Sequence, residues 1–258
     1  MSRDIFRQFI VIVSTAAVIS INILANTLPL NGLNTGEISD RFDIYFVPAG
    51  YVFSIWGVIY LGLIAYTVYQ ALPSQRENPK LRQIGYWYVL SCAANIVWIF
   101  LWHYEVFNWT LVAMLTLLVS LLVIYLRLNI GRTAVSTAER WTVHVPFSIY
   151  LGWITVATIA NATQLLDYIN WGGWGISEEI WLVIMVAAAV VITAAMLYTR
   201  RDIAYSLVIV WALVGIAFKF PQVQIVSLTA WIAAGLVVVF IVVGIFLPRS
   251  GSRSPLPA

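Results

Sequence analysis

The feature that most constrains this chain is a series of unbroken apolar runs, each about the length of one membrane crossing. Eight stand out: 9–28, 51–72, 83–102, 109–128, 141–163, 179–199, 203–218 and 223–247. A helix of roughly 20 apolar residues spans about 30 Å of hydrocarbon and satisfies all its backbone hydrogen bonds internally. The runs are continuous rather than alternating with period two, which argues against the strands of a membrane β-barrel. Between them lie turn and charge signals: Asn31-Gly32, the proline-flanked stretch 73–79, Gly131-Arg132, the segment 171–175 with its three glycines, and Arg200-Arg201-Asp202. The seventh run is the shortest and ends at Lys219 and Pro221, so a re-entrant half-span is the alternative to a full crossing. With 62% hydrophobic and 10% charged residues, the chain has too little polar side chain to cover a water-facing surface. That excludes a soluble enzyme, a nucleic-acid partner and a disordered chain. The expected fold is an all-α polytopic transmembrane bundle of about eight spans.

Loop charges support the count. With eight spans both termini share one side, which then holds Arg3, Arg7, Arg76, Lys80, Arg82, Arg127, Arg132, Arg140, Arg200, Arg201, Arg249 and Arg253. The other side holds Arg41 and Lys219 against Glu37, Asp40, Asp43, Glu105, Asp167, Glu178 and Glu179. Twelve of fourteen basic residues on one side is a positive-inside pattern, placing both termini in the cytoplasm. Removing the seventh span would move Arg249 and Arg253 outside. The first run is longer than a signal-peptide core and lacks a clean small-residue cleavage site, so it reads as an uncleaved first helix. The expected location is the plasma (inner) membrane. The single cysteine, Cys92, permits neither an intrachain disulfide nor a cysteine-based zinc site.

Intramembrane ionisable groups usually mark ion or proton paths. Here no Asp, Glu, Lys or Arg falls mid-span, and His103 and His144 lie at opposite faces, so they cannot share a metal. No nucleophile–base pair or paired carboxylates are visible, and no enzymatic activity is expected. What the spans do carry is aromatic and amide side chains at helical spacing. Phe53, Trp56, Tyr60, Leu63 and Thr67 share one face of the second helix; Asn95, Trp98 and Trp102 share one of the third; Tyr150, Trp153, Ala157 and Asn161 share one of the fifth. Topology puts Trp56, Asn95, Trp98 and Asn161 in the outer half, with Trp153 near the middle and Asn22 and Asn26 alongside. Such faces suit a flat apolar ligand, with stacking for area and amides for orientation. Interhelical packing is the competing reading, because Asn bonds across membrane helices and Trp fills space between them. Trp87, Trp102, Trp109, Trp141 and Trp181 fit an interfacial belt. Tyr125 and Arg127, within a loose sterol-type pattern at 123–127, read as interfacial anchors.

The stretch 45–60, with Pro48, Ala49, Gly50, Phe53, Trp56, Gly57 and Tyr60, resembles the loop-to-second-helix signature of the translocator protein family. This family is also known as tryptophan-rich sensory or peripheral benzodiazepine receptor proteins. Asn95-Ile96-Val97-Trp98 resembles its third-helix motif, and Pro146, Trp153, Ala157 and Asn161 resemble its fifth-helix motif. The matches fall in order over roughly residues 5–165. Val47 stands where the family usually has a first proline, and Ser91 where it usually has glutamine. Pro146 is farther from Asn161 than usual, so the fifth helix is expected to begin differently. The resemblance implies a five-helix membrane domain (1–170) extended by three helices (171–247) and a disordered cytoplasmic tail (248–258). It implies a receptor or sensor binding a porphyrin, haem or another flat hydrophobic molecule, with transport of an amphipathic small molecule as the alternative. The ligand-binding residues it implies are Trp56, Tyr60, Asn95, Trp98, Trp153, Ala157 and Asn161. No cofactor is required beyond a porphyrin or haem taken as ligand. The expected partners are the lipid bilayer, a hydrophobic small molecule and a second copy in a homo-oligomer. The extra helices read as a packing module, or else as a second gate; no inverted repeat relates them to the first five.

Overall fold

The structure is a computed structural model in which residues 3–28 and 30–246 are described. Arg249, Arg253 and the expected disordered tail lie outside the described residues. Eight long helices follow in order: α1 (Arg3–Thr27), α2 (Ile55–Ala71), α3 (Pro79–His103), α4 (Phe107–Arg127), α5 (Val145–Tyr168), α6 (Glu178–Arg200), α7 (Ile203–Lys219) and α8 (Gln224–Phe246). No strand occurs among the described residues. The fold is a polytopic helical bundle. Among the described residues seven helical segments are long and apolar enough to cross a membrane, and α7 is a shorter apolar one. Several helices run past their apolar runs, as α1 does to Arg3 and α3 to Pro79. The hydrogen-bonded spiral has no reason to stop where the apolar face does, and Asn78 caps α3 by accepting from Lys80 and Leu81 N–H groups.

Side-chain contacts sort the loops into two ends. At one end Arg82 grips Asp4 through two bonds of 2.8 and 2.6 Å, Arg7 donates to the Arg76 carbonyl, and Lys80 faces Glu139 at 3.4 Å. Arg127 donates to the Gln83 carbonyl and Arg200 to Asn129 at the same end. At the other end Arg41 pairs with Glu105, Lys219 with Asp40, and Gln164 donates to Ser39. Exposed pairs of this kind stabilise little, but they record which loops are neighbours, and the loops alternate as an even number of crossings requires. They also decide the seventh run. Its first residues pack at the basic end, and Lys219, its last, reaches the first loop at the other. Thus α7 runs the full height of the bundle rather than turning back.

Without a hydrophobic drive between helices, membrane bundles hold together by close approach and polar bonds. Both occur here. A Cβ on Gly62 would lie 2.9 Å from Pro146 Cβ, and one on Gly152 would lie 3.0 Å from the Tyr205 carbonyl oxygen, so α2, α5 and α7 meet backbone to backbone. Thr15 joins α1 to α2 and α3 through Thr67 and Tyr88, both at 2.7 Å. Replacing Thr15 with valine is expected to lower stability by about 0.5–1.5 kcal/mol, the worth of such interhelical bonds; the unfolding midpoint in a mixed-detergent titration measures it. Large side chains such as Leu61, Val191 and Phe246 point outward, as lipid-facing positions do.

The fifth helix begins with a wide turn rather than a plain α-helical start. A short turn at Thr137–Glu139 leads into a wide π turn at Arg140–His144, directly before Pro146. Proline lacks the N–H an α-helix needs and crowds the preceding turn, and a π turn absorbs both defects. The α4–α5 loop is pressed against the end of α6: Gly131 has φ +78°, and a Cβ there would sit 1.9 Å from the Arg200 carbonyl oxygen. Only glycine fits both demands.

Candidate functional site

The 3₁₀ turn Gly50–Ser54 delivers the chain into α2 so that Trp56 and Tyr60, one turn apart, stack with ring centres 5.6 Å apart. Trp56 meets the edges of Tyr150 and Trp153 on α5, at 6.0 and 6.3 Å, and Phe53 meets Trp153 at 5.7 Å. On α3, Trp98 stacks on Trp102 at 5.1 Å. The aromatic stripes expected from spacing do face one another.

They do not enclose a single pocket. One groove, about 480 Å³, lies between α1, α2 and α3 and is walled by Asn22, Asn26, Phe53, Trp56, Tyr60 and Trp98. A second space, about 50 Å³, contains Trp153, Ala157 and Asn161 together with Gln164. Phe53, Trp98 and Thr35 line both, and the two aromatic rings form the partition. The groove falls in the range of small-molecule sites, ~300–1,000 Å³. The inner chamber has room for little more than a water molecule, which occupies ~30 Å³ in the liquid. By volume the first is large enough for a small molecule and the second is not.

The hydrogen bonds set the two amides apart from Trp153. Asn95 lines neither space: it is buried, accepts from Asn22 Nδ2 at 2.7 Å and donates to the Tyr150 hydroxyl at 3.4 Å. Asn161 accepts from Trp98 Nε1 at 3.1 Å and donates to Thr110 at 2.9 Å. Both amides are spent on joining helices. The Trp153 indole N–H, by contrast, is buried without an acceptor.

The cover of the groove comes from the first loop, which spacing arguments had left out. A one-turn helix at Thr35–Ser39 is fixed by a capping box: Asn34 accepts from the Gly36 and Glu37 N–H groups, and Glu37 accepts from the Asn34 N–H. Trp102 and His103 pin this turn from below. Trp102 donates to the Thr35 carbonyl at 3.2 Å. His103 Nδ1 lies 3.2 Å from the Leu30 carbonyl, which can only accept, so Nδ1 carries a proton, and Nε2 shares a hydrogen bond of 3.1 Å with Thr35 Oγ1. Both side chains are buried, so Trp102 packs against the first loop and does not face the lipid headgroups as a belt residue would. The loop must fold over the bundle and satisfy its polar groups there, and these two supply the donor and the ring. The signal for the cap, Asn34 followed three residues later by Glu37, was legible. Asn22 and Asn26 were placed beside the aromatic faces by their depth, whereas Thr35 carried no motif that marked it.

The same correction applies to Tyr125. It is buried and donates to Asp202 at 2.8 Å, while Arg127 lies over the Trp87 ring at 5.5 Å. Asp202, read from sequence as part of a turn, is a buried junction: it also accepts from Ser148 at 2.6 Å and from the Tyr205 N–H at 3.0 Å, capping α7. An acid immediately before an apolar run is the sequence sign of such a cap. Among the described residues no cluster of three or more metal-binding side chains occurs.

A family model described as TSPO-like protein matches residues 8–243. Comparison with curated proteins and with solved structures gives no match. The matched span runs through α6, α7 and most of α8, well beyond the stretch 5–165 that carries the sequence motifs. It covers most of the chain, and the all-helical bundle agrees with it. The chain therefore belongs to the TSPO-like protein family, generally non-enzymatic membrane proteins with a receptor, sensor or transport kind of role.

Proposed function

We propose that this protein is a membrane receptor or sensor that holds a flat, largely hydrophobic ligand of the tetrapyrrole class, such as protoporphyrin IX or haem, in the groove between α1, α2 and α3. The observation that carries this reading is the stacked Trp56–Tyr60 pair facing Trp98 across about 480 Å³. Stacked aromatic walls give area for a planar molecule at low entropic cost. The two acids at the mouth are engaged, Glu37 in the capping box and Asp40 with Lys219, which lessens their repulsion of an anionic ligand edge. Of the residues singled out by sequence, Trp56, Tyr60 and Trp98 would touch the ligand. Trp153, Ala157 and Asn161 would back the partition, and Asn95 would hold the helices in register. The reading needs no resident cofactor. It places the chain in the plasma membrane with the basic end and both termini in the cytoplasm, residues 1–170 as the ligand-binding unit, 171–247 as the helices that brace it, and a homo-oligomer as a compatible assembly.

The test is a titration of the purified protein in detergent with protoporphyrin IX, followed at the Soret band. Saturable binding should weaken about tenfold in Trp56→Leu and again in Tyr60→Leu, a loss of about 1.4 kcal/mol each. Equal binding by all three proteins would reject the groove. Protein-dependent uptake of the porphyrin into sealed vesicles would instead make the role transport.

A further inference from the structure

We propose that a second cavity, formed by the first loop, the end of α5 and the start of α6, binds an organic cation: an ammonium group carried on an apolar body. This site is separate from the groove and does not rest on the tetrapyrrole reading. It is the larger of the two, about 620 Å³, and its wall combines Tyr45, Trp171 and Trp181 with Asp43, Asp167 and Glu178. Aromatic faces attract cations through the ring quadrupole, and the carboxylates, which are solvent-exposed, supply the countercharge.

The charges of this cavity have no cation of their own. No lysine or arginine lines it. The two bases at this end of the bundle are already engaged, Arg41 with Glu105 and Lys219 with Asp40. Among the described residues Asp43 and Asp167 make no ion pair. Glu178 and Glu179 have an ordinary structural reason for their positions, since acids suit the positive end of the α6 dipole. Asp167 has the opposite: it sits in the last turn of α5, where the helix end is already negative. The exposed carboxylate gains nothing from the helix dipole there, and a bound cation would give it a partner.

A metal ion is the less fitting occupant. These carboxylates do not converge into a metal-holding group among the described residues, and indole walls offer a hard cation nothing. The walls themselves are built. Gly173, Trp174 and Gly175 take left-handed conformations (φ 60°, 53° and 76°), which turn the chain so that Trp171 packs on Trp181 at 5.2 Å. Trp181 Nε1 is held by the Gly173 carbonyl at 3.0 Å. Tyr45 donates to Glu179, and the pKa of its hydroxyl, neutral in any case, is pushed further up by desolvation and by the nearby Glu179, Glu178 and Asp43. Its ring therefore adds an aromatic wall and no further charge.

The ammonium could come from a soluble amine or from a choline lipid headgroup, and the experiment separates these. The full-length protein in dodecyl maltoside is titrated calorimetrically with benzyltrimethylammonium and with neopentylbenzene, its uncharged carbon counterpart. Expected are saturable binding of the cation near one per chain, at least tenfold weaker binding of the neutral compound, and at least tenfold weaker cation binding by the Asp43→Asn/Asp167→Asn double variant. Without ligand that variant should melt no lower than the parent, because it loses only unfavourable charges. Trp171→Leu should weaken the cation severalfold. Competition by phosphatidylcholine but not phosphatidylglycerol would assign the cation to a lipid headgroup; lack of competition would assign it to a soluble amine. Equal affinity for the neutral compound, unchanged affinity in the double variant, or no saturable binding would overturn the proposal. The porphyrin titration reads the other groove and is unaffected by either result.

Discussion

Replacing Asp202 with alanine is expected to cost about 3–5 kcal/mol, measured as the fall in unfolding free energy on titration from mild to denaturing detergent. The reason is the number of groups one carboxylate serves. Tyr125 on α4, Ser148 on α5 and the backbone N–H of Tyr205 on α7 all donate to it, and all are buried. Alanine removes every acceptor at once, leaving three donors that each cost about 1–3 kcal/mol when buried unpaired, less whatever relaxation recovers. One of these three, the Tyr205 N–H, is the α7 cap bond, worth about 1 kcal/mol by itself. Asn at this position keeps one oxygen and should lose about half as much. Equal losses for alanine and asparagine would mean that the carboxylate acts through its charge rather than as a shared acceptor. Tyr125→Phe, which deletes one donor and its desolvation together, should be mild by comparison.

A second large loss is expected at Gly215, on the face of α7 that receives the loop leading into α2. A Cβ there would lie 2.2 Å from Val52 Cγ2 and 3.0 Å from Pro48 Cβ. That loop is also fastened to α7 by the Ala49 N–H donating to the Gly215 carbonyl at 3.1 Å, and by Trp211 Nε1 donating to the Val52 carbonyl at 3.0 Å. Gly215→Ala must therefore push the loop away, costing about 2–3 kcal/mol as overpacking does. The loop carries Phe53 and sets the entry of Trp56, so porphyrin affinity should fall with stability. Val52→Ala removes the clashing methyl. The double variant Gly215→Ala/Val52→Ala should recover at least 1 kcal/mol relative to the sum of the two single changes. Strict additivity would show that the contact is not what limits the site.

These two positions also show where sequence reading stopped. The helices, their number and their alternation were legible because each is dictated locally: twenty apolar residues make a span, and charge in the breaks sorts the sides. The stripes of Trp56, Tyr60, Trp98 and Trp153 were legible for the same reason, since helical spacing fixes which residues share a face. That Asn95 spends its amide on Asn22 and Tyr150, or that Tyr125 turns inward to Asp202, was not. Each depends on which helix stands beside which, and partners such as Tyr125 and Asp202 are separated by dozens of positions in the chain.

Sequence by itself therefore determined the membrane bundle, the eight helices, the two unequal ends and the aromatic faces. Tertiary structure alone decided that α7 runs through the core against α5 and the first loop, and that Phe53 and Trp98 divide the aromatic region into a ligand-sized groove and a water-sized chamber. It also decided that four acids and two indoles from three segments surround one cavity. Hydropathy is a property of one segment against lipid, and it is read along the chain. A cavity is the space left between segments, and its size depends on side-chain packing that no single segment contains.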